Sequence, residues 1–403
     1  MDSSPAQKLA LVFSGGGAKG AFGVGVLRGL LTYAPDLKWD IVSGTSTGAL
    51  ITSLASLHFN DPAAVTDLER LYRTVRRKHI VRPNVHWYNL LCLLCRLPRG
   101  WYNAKPLREL IRKNLPRERL ERLRNSPVAA IVNAVSLQTG DLILCTQPPH
   151  EAAMRTWFED RARRRRRPVR VRFLPFEDFP KAMLASAAIP GAIEPVPDSR
   201  TVEGRRLREE LVDGGVIDIA PLRAALAAGA THVVVVLMSP LQPPPEERPF
   251  DTLVKVAFRS IDLLTDEVLR GDVAGAREVN RLRRMAAGLL TDRKDFESRF
   301  GGENAKALEQ LAERRAVEVA VIEPPKLMGD TLDFDTEVPA GWPGVLGEDR
   351  PLPIMEARYQ CGIKVGVKAV QNDPDLKNLL DRFRPTPSTA PALAPEPRPL
   401  GPA

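Results

Sequence analysis

The chain has 403 residues, 44% of them apolar, enough for one large α/β domain with appended pieces and too many for wholesale disorder. Its four cysteines, Cys92, Cys95, Cys145 and Cys361, are too few and too scattered for a disulfide framework, which points to a reducing, cytoplasmic setting. The net charge is +9, and between Arg155 and Arg172 nine arginines stand against only two acids, Glu159 and Asp160.

In chain order, Lys8–Phe13 is a short apolar run ending in Ser14-Gly-Gly-Gly, the pattern of a buried strand meeting a turn. The ten residues before Leu11 hold one basic residue and no long apolar stretch, so no secretory leader is expected. Ala21–Tyr33 has helical spacing through Phe22, Val26, Leu30 and Tyr33. Gly20, Gly23, Gly25 and Gly29 interrupt it, which suggests close packing of that helix against a sheet. Trp39–Ser43 reads as a second strand and Ser46–Leu57 as a second helix. Strand, tight turn and helix thus occur twice, which predicts a mostly parallel sheet covered by helices.

Asp61–Lys78 and Lys105–Leu115 read as amphipathic helices. Between them, Trp87–Leu94 with Trp101 and Tyr102 is an aromatic and apolar stretch suited to a lid or a membrane-facing patch, or equally to the core of a helical cap. Cys92 and Cys95 fall in that stretch with redox or zinc spacing, but no second Cys or His pair accompanies them, so they read as buried thiols. Strand-like segments recur at Val128–Val135, Asp141–Cys145, Val169–Phe173, Leu207–Val212 and, most strongly, Thr231–Met238. The arginine-rich segment at about 155–172 lacks a nucleic-acid-binding motif. It reads as a solvated insert or as a surface attracted to anionic lipid; no nucleic acid is expected, and the second reading would give peripheral contact with an anionic membrane. No run reaches the ~18 apolar residues of a spanning helix.

Three short motifs carry chemistry. Gly15-Gly16-Gly17-Ala18-Lys19-Gly20 joins a strand to a helix and fits the dinucleotide pattern G-x-G-x-x-G, but the acid that pattern wants at the end of the second strand is missing, since Asp40 stands at the start. A glycine turn at a helix N-terminus also suits an oxyanion. Gly44-Thr45-Ser46-Thr47-Gly48 matches G-x-S-x-G, and the strand before and the helix after supply the context in which a serine is pushed out on a sharp turn. Asp213-Gly214-Gly215 follows the apolar end of a strand; alone it is a common turn. Together the motifs offer a nucleophile, N–H donors for an oxyanion and a carboxylate. All three follow strands, which predicts that they gather at one sheet edge, where ligands bind in open α/β sheets.

The same three motifs, in this order, resemble the signatures of patatin-like phospholipases, and the block Ala185-Ser-Ala-Ala-Ile-Pro-Gly191 and Asp218-Ile-Ala-Pro221 extend the similarity over roughly 9–239. Asp218 stands where that family more usually has Asn. The resemblance implies a three-layer α/β/α fold with a mostly parallel central sheet, and a Ser46–Asp213 dyad that hydrolyses lipid acyl esters, phospholipase A or lysophospholipase-like, on a phospholipid or related substrate. The expected organisation is a catalytic domain at 9–239, a Pro-rich linker at 240–250, a helical extension at 251–384 packed on the core, and a disordered Pro-rich tail at 385–403.

Serine acyl transfer commonly uses a histidine base. Of His58, His79, His86, His150 and His232, only His232 follows the order Ser, Asp, His, and it precedes the valine strand, at the opposite sheet edge. Asp213 is therefore expected to serve as base, with N–H groups around Gly16, Gly17 and Ala18 holding the oxyanion and Lys19 steadying the glycine loop or lending positive potential. No metal or organic cofactor is required. An acyltransferase using the same acyl-enzyme, and a nucleotide-binding Rossmann-type protein, are the alternative readings.

Overall fold

A computed structural model describes residues 7–84, 100–163, 169–202, 205–242, 288–312, 317–326, 328–339 and 351–384, with Trp342 and scattered positions between 245 and 286. Most of the aromatic stretch around Trp87–Leu94, Cys92 and Cys95, the arginine run 164–167 and the Pro-rich tail lie outside the described residues.

Among the described residues the central sheet has nine strands: β1 (Leu9–Phe13), β2 (Ile41–Gly44), β3 (Ala129–Ser136), β4 (Leu142–Cys145), β5 (Val171–Phe173), β6 (Val196–Val202), β7 (Arg205–Asp213), β8 (His232–Val236) and β9 (Glu318–Ile322). Along the main path the order is β9-β8-β1-β2-β3-β4-β5, and the first five of these are parallel to one another. The strand β3 turns to antiparallel pairing with β4, and its last three residues also pair antiparallel with β7, whose other edge carries β6.

The inner strands of the parallel core, from β8 to β2, are buried on both faces. Leu9, Leu11 and Phe13 of β1 join one apolar cluster while Ala10 and Val12 join another; Val234 and Val236 of β8 divide from Val233 and Val235 in the same way. This alternation, with helices over each cluster, is the three-layer α/β/α arrangement that the repeated strand–turn–helix pattern predicts. On the first face lie α1 (Gly20–Tyr33), α2 (Thr47–Ala55), α3 (Ala63–Thr74), followed by α4 (Arg77–Ile80), α5 (Lys105–Asn114) and α6 (Phe179–Ser186). The helices Pro148–Arg163 and Leu222–Ala227 cover the other face through residues such as Met154, Leu222 and Ala225.

Two features differ from expectation. The glycines of α1 do not serve mainly to approach the sheet: a Cβ on Gly25 or Gly29 would run into the backbone of Tyr359, Gly362, Ile363 and Gly366 on the C-terminal helix α7 (Ile354–Asn372). Small residues on both helices let the two backbones come into contact. The arginine-rich segment, in turn, is divided where it is described: Arg155, Arg161, Arg163 and Arg170 are exposed, whereas Arg172 is engaged. Its first part belongs to the helix Pro148–Arg163, and Arg172 sits on β5 inside an ion network with Asp198 and Glu209 at 3.0 and 2.8 Å. The residues after 240 supply the sheet strand β9 as well as helices, and the described positions from 259 to 286 are all helical. Among the described residues no helix is long and apolar enough to cross a membrane.

Candidate active site

Ser46 stands between the end of β2 and the start of α2, at φ 56° and ψ −121°. It is the one described non-glycine residue with positive φ. Such a conformation costs of order 1–3 kcal/mol and persists only where its surroundings impose it. Here they do so from several sides. A Cβ on Gly48 would collide with the Phe13 carbonyl, so α2 packs directly against the end of β1. The Ser46 amide donates to Ser186 Oγ at 2.9 Å, and Thr45 Oγ1 donates to Asn133 Oδ1 at 2.8 Å and to the Asp218 carbonyl at 2.9 Å. Asn133 Nδ2 donates to the same carbonyl at 2.9 Å. The turn carrying Ser46 is thereby tied to the loop that follows Asp213.

Asp213 reaches this edge by a route that differs from the simple expectation. Its strand β7 runs antiparallel to β3, so it approaches from the opposite direction and might have carried its end to the far side of the sheet. On β3 it pairs only with Ala134, Val135 and Ser136 at the end of that strand and stops there, with Asp213 opposite Ala134. Asp213 is almost wholly buried. Its Oδ1 accepts from the Gly215 amide at 2.8 Å, and the Ser46 side chain lies beside its carboxylate. Burial drives its pKa up to about 7, against the smaller opposing pull of the Gly215 amide and the Ser46 side chain.

The glycine turn Gly15–Gly20 lies beside Ser46, but its six residues are not equivalent. The Gly15 amide donates to the Ile219 carbonyl at 2.9 Å, Ala18 to the Thr331 carbonyl at 2.7 Å and Lys19 to the Gly16 carbonyl at 3.1 Å; the Gly20 amide is engaged within the same turn. Ala18 therefore does not offer a donor to an oxyanion, because residue 331, far along the sequence, already occupies it. Among the described residues no acceptor stands against the amides of Gly16, Gly17 or Thr47, the last being the first residue of α2. Lys19 is buried and its Nζ donates to Ser239 Oγ at 3.1 Å, fastening the turn to the segment after β8. Gly214 packs against Asn133, and Gly44 against the first turn of α2.

His232 is at the other end of the sheet, where β8 begins opposite Leu9 of β1 and Glu318 of β9. Its ring contacts Thr231 Oγ1 at 2.8 Å and Arg382 at 3.3 Å.

Beside Ser46 opens a cleft of about 560 Å³, part of it open to solvent. Its walls are almost entirely apolar: Leu50 of α2, Leu71 and Val75 of α3, Leu107 and Leu110 of α5, and Ile189 and Ile193 after α6. Tyr72 also lines it, with its hydroxyl turned to Thr47 Oγ1 at 2.7 Å. An apolar lining with few convergent polar groups, beside a strained serine, is a common form of a small-molecule site. Ser186 and Asn133 were not singled out from sequence as functional; the signals were a serine in the Ala185–Ala188 block and one amide inside the otherwise apolar strand Ala129–Ser136.

A family model for patatin-like phospholipase matches residues 11–226, more than half of the chain. No curated protein matches the chain. Among solved structures, VipD from Legionella pneumophila is similar at 15% identity, over 94% of this chain and 68% of that one, with a TM-score of 0.39. On the family model, which covers the glycine turn, the Ser46 elbow and the Asp213 loop, the chain belongs to the patatin-like phospholipase family.

Proposed function

We propose that the protein hydrolyses the acyl ester of a phospholipid or lysophospholipid through a Ser46–Asp213 dyad. The observation that carries this reading is Ser46, held at φ 56° on the wall of an apolar cleft, with the buried carboxylate of Asp213 beside its side chain. Asp213 takes the hydroxyl proton as Ser46 Oγ attacks the ester carbonyl. The amides of Gly16, Gly17 and Thr47 supply donors for the negative charge that develops on the carbonyl oxygen; each such donor is worth about 10²–10³ in rate in other serine hydrolases. Asp213 then returns its proton to the leaving alcohol, and the acyl group stays on Ser46. In the second half Asp213 takes a proton from water, which attacks the acyl-enzyme, and gives it back to Ser46 Oγ.

The near absence of polar groups in the cleft wall favours an acyl chain over a sugar or nucleotide. The glycine turn offers little to a pyrophosphate, with Ala18 already bonded to Thr331. The test is a fluorophosphonate probe followed by peptide mapping. Labelling at Ser46, lost in Ser46→Ala together with release of fatty acid from phospholipid vesicles, is the expected result. Undiminished turnover by purified Ser46→Ala removes the assignment.

A further inference from the structure

The cleft is closed on one side by residues that the family model does not reach. Leu332 and Phe334 line it, and both belong to the segment 328–335, which lies between strand β9 and helix α7. This segment has no regular secondary structure of its own, and it is held by arginines at several points. The side chain of Arg358, fully buried on α7, donates from Nε to the Met328 carbonyl at 2.7 Å, from Nη1 to the Asp333 carbonyl at 2.6 Å and from Nη2 to the Asp330 carbonyl at 3.2 Å. Arg77 on α4 donates to the Leu332 carbonyl through Nε at 3.2 Å and Nη2 at 3.0 Å.

The same segment touches the catalytic turn directly. The Thr331 carbonyl accepts from Ala18, and a Cβ on Gly17 would run into Thr331. A stretch with so little regular structure would not keep a fixed distance from Ser46 unaided. Three carbonyls on one guanidinium, two donors from a second and one amide from the glycine turn fix its backbone, and that fixes where Leu332 and Phe334 stand.

We infer that the segment 328–335 is the specificity wall of the acyl site, with Leu332 and Phe334 reading the length and bulk of the acyl chain, and with Arg358 and Arg77 as positioning residues that hold it against the glycine turn. This rests on the hydrolase reading above and adds to it: the catalytic groups come from the family-matched region, whereas chain selectivity is set by the C-terminal part of the chain.

The test is the ratio of kcat/KM for p-nitrophenyl decanoate to that for p-nitrophenyl acetate, measured on the full chain. The acetate is too short to reach far along the wall. Leu332→Trp puts a larger side chain at a half-buried position and should lower the ratio by at least ~10-fold, the scale on which a hydrophobic pocket separates substrates that differ by methylenes. Phe334→Ala removes a ring from the wall and should move the ratio by a similar factor. Arg77→Ala should move it in the same sense as Phe334→Ala, through KM for decanoate more than kcat, and Arg77→Lys should restore part of the loss. Far-ultraviolet circular dichroism and the rate of fluorophosphonate labelling at Ser46 report whether each variant is folded with its nucleophile in place. Should Phe334→Ala fail to fold, Leu332→Trp at its half-buried position decides alone. Ratios equal to wild type in folded, labelled variants overturn the wall assignment and leave the hydrolase reading standing. A wild-type protein that neither labels at Ser46 nor hydrolyses either ester overturns the hydrolase reading itself, and the wall assignment with it.

Discussion

The amide of Ser46 donates to the hydroxyl of Ser186 at 2.9 Å, across 140 residues of sequence. A residue held at φ 56° needs such an anchor, because its own conformational preference opposes the turn. Ser186→Ala leaves a buried amide without its partner, a loss of about 1–3 kcal/mol. The expected outcome is a lower urea midpoint together with a fall in kcat. Ser186→Thr, which keeps the hydroxyl, should recover part of both. Unchanged stability and turnover in Ser186→Ala would show that the elbow holds itself.

His232 should be dispensable for catalysis. It lies where β8 begins, whereas Ser46 follows the end of the parallel strand β2, so the whole length of the sheet separates them. Its ring is engaged by Thr231 and Arg382, beside Phe383. His232→Ala should keep ester turnover within a few-fold of wild type while lowering the melting temperature by loosening that corner. An inactive but folded His232→Ala would require a histidine in the mechanism.

The parts of this molecule that were legible in sequence are those with short-range signals. The glycine turn, the Gly44–Gly48 elbow and the run of valines from Val233 each announce themselves within a few residues, and the doubled strand–turn–helix pattern gives the parallel core around β1 and β2. The relations that complete the site are long-range. Nothing local marks β7 as antiparallel, yet Asp213 meets Ser46 only because that strand stops after pairing with the last three residues of β3. Nothing near residue 331 says that its carbonyl will take the Ala18 amide. The α1 glycines were readable as a close contact, but their partner, the Gly362 and Gly366 pair on α7, lies more than 300 residues away.

Asn133 should prove as sensitive as the elbow itself. It is fully buried, accepting from Thr45 and donating to the Asp218 carbonyl, and so couples the nucleophile turn to the Asp213 loop. Asn133→Leu has similar volume but neither donates nor accepts, which strips partners from buried groups at a cost of about 1–3 kcal/mol. Denaturant unfolding should register that loss, and kcat should fall further than it does for an equally destabilising change in the opposite core, such as Leu222→Ala. Equal losses of activity in the two variants would reduce Asn133 to a packing residue.

Asp213 links stability and activity to pH with opposite signs. In the folded chain burial raises its pKa from 3.8 to about 7. Between those values the folded state retains a proton that the unfolded chain has released, so stability falls as pH rises from about 4 to about 7. Above about 7 the buried charge exacts its full cost, on the order of a few kcal/mol. The base, however, works only when deprotonated, so kcat/KM for a soluble ester should climb as pH rises through about 7 and then level. Asp213→Asn separates the two effects. It cannot take a proton, and turnover should vanish at every pH. It also cannot become charged, so its melting temperature should exceed that of wild type at pH 8, with the advantage shrinking towards pH 4. Thermal melts and ester kinetics on the same two proteins across that range check both signs. An Asn variant that stays active denies Asp213 the role of base, and one that is no more stable than wild type at pH 8 denies that the carboxylate is held at a cost.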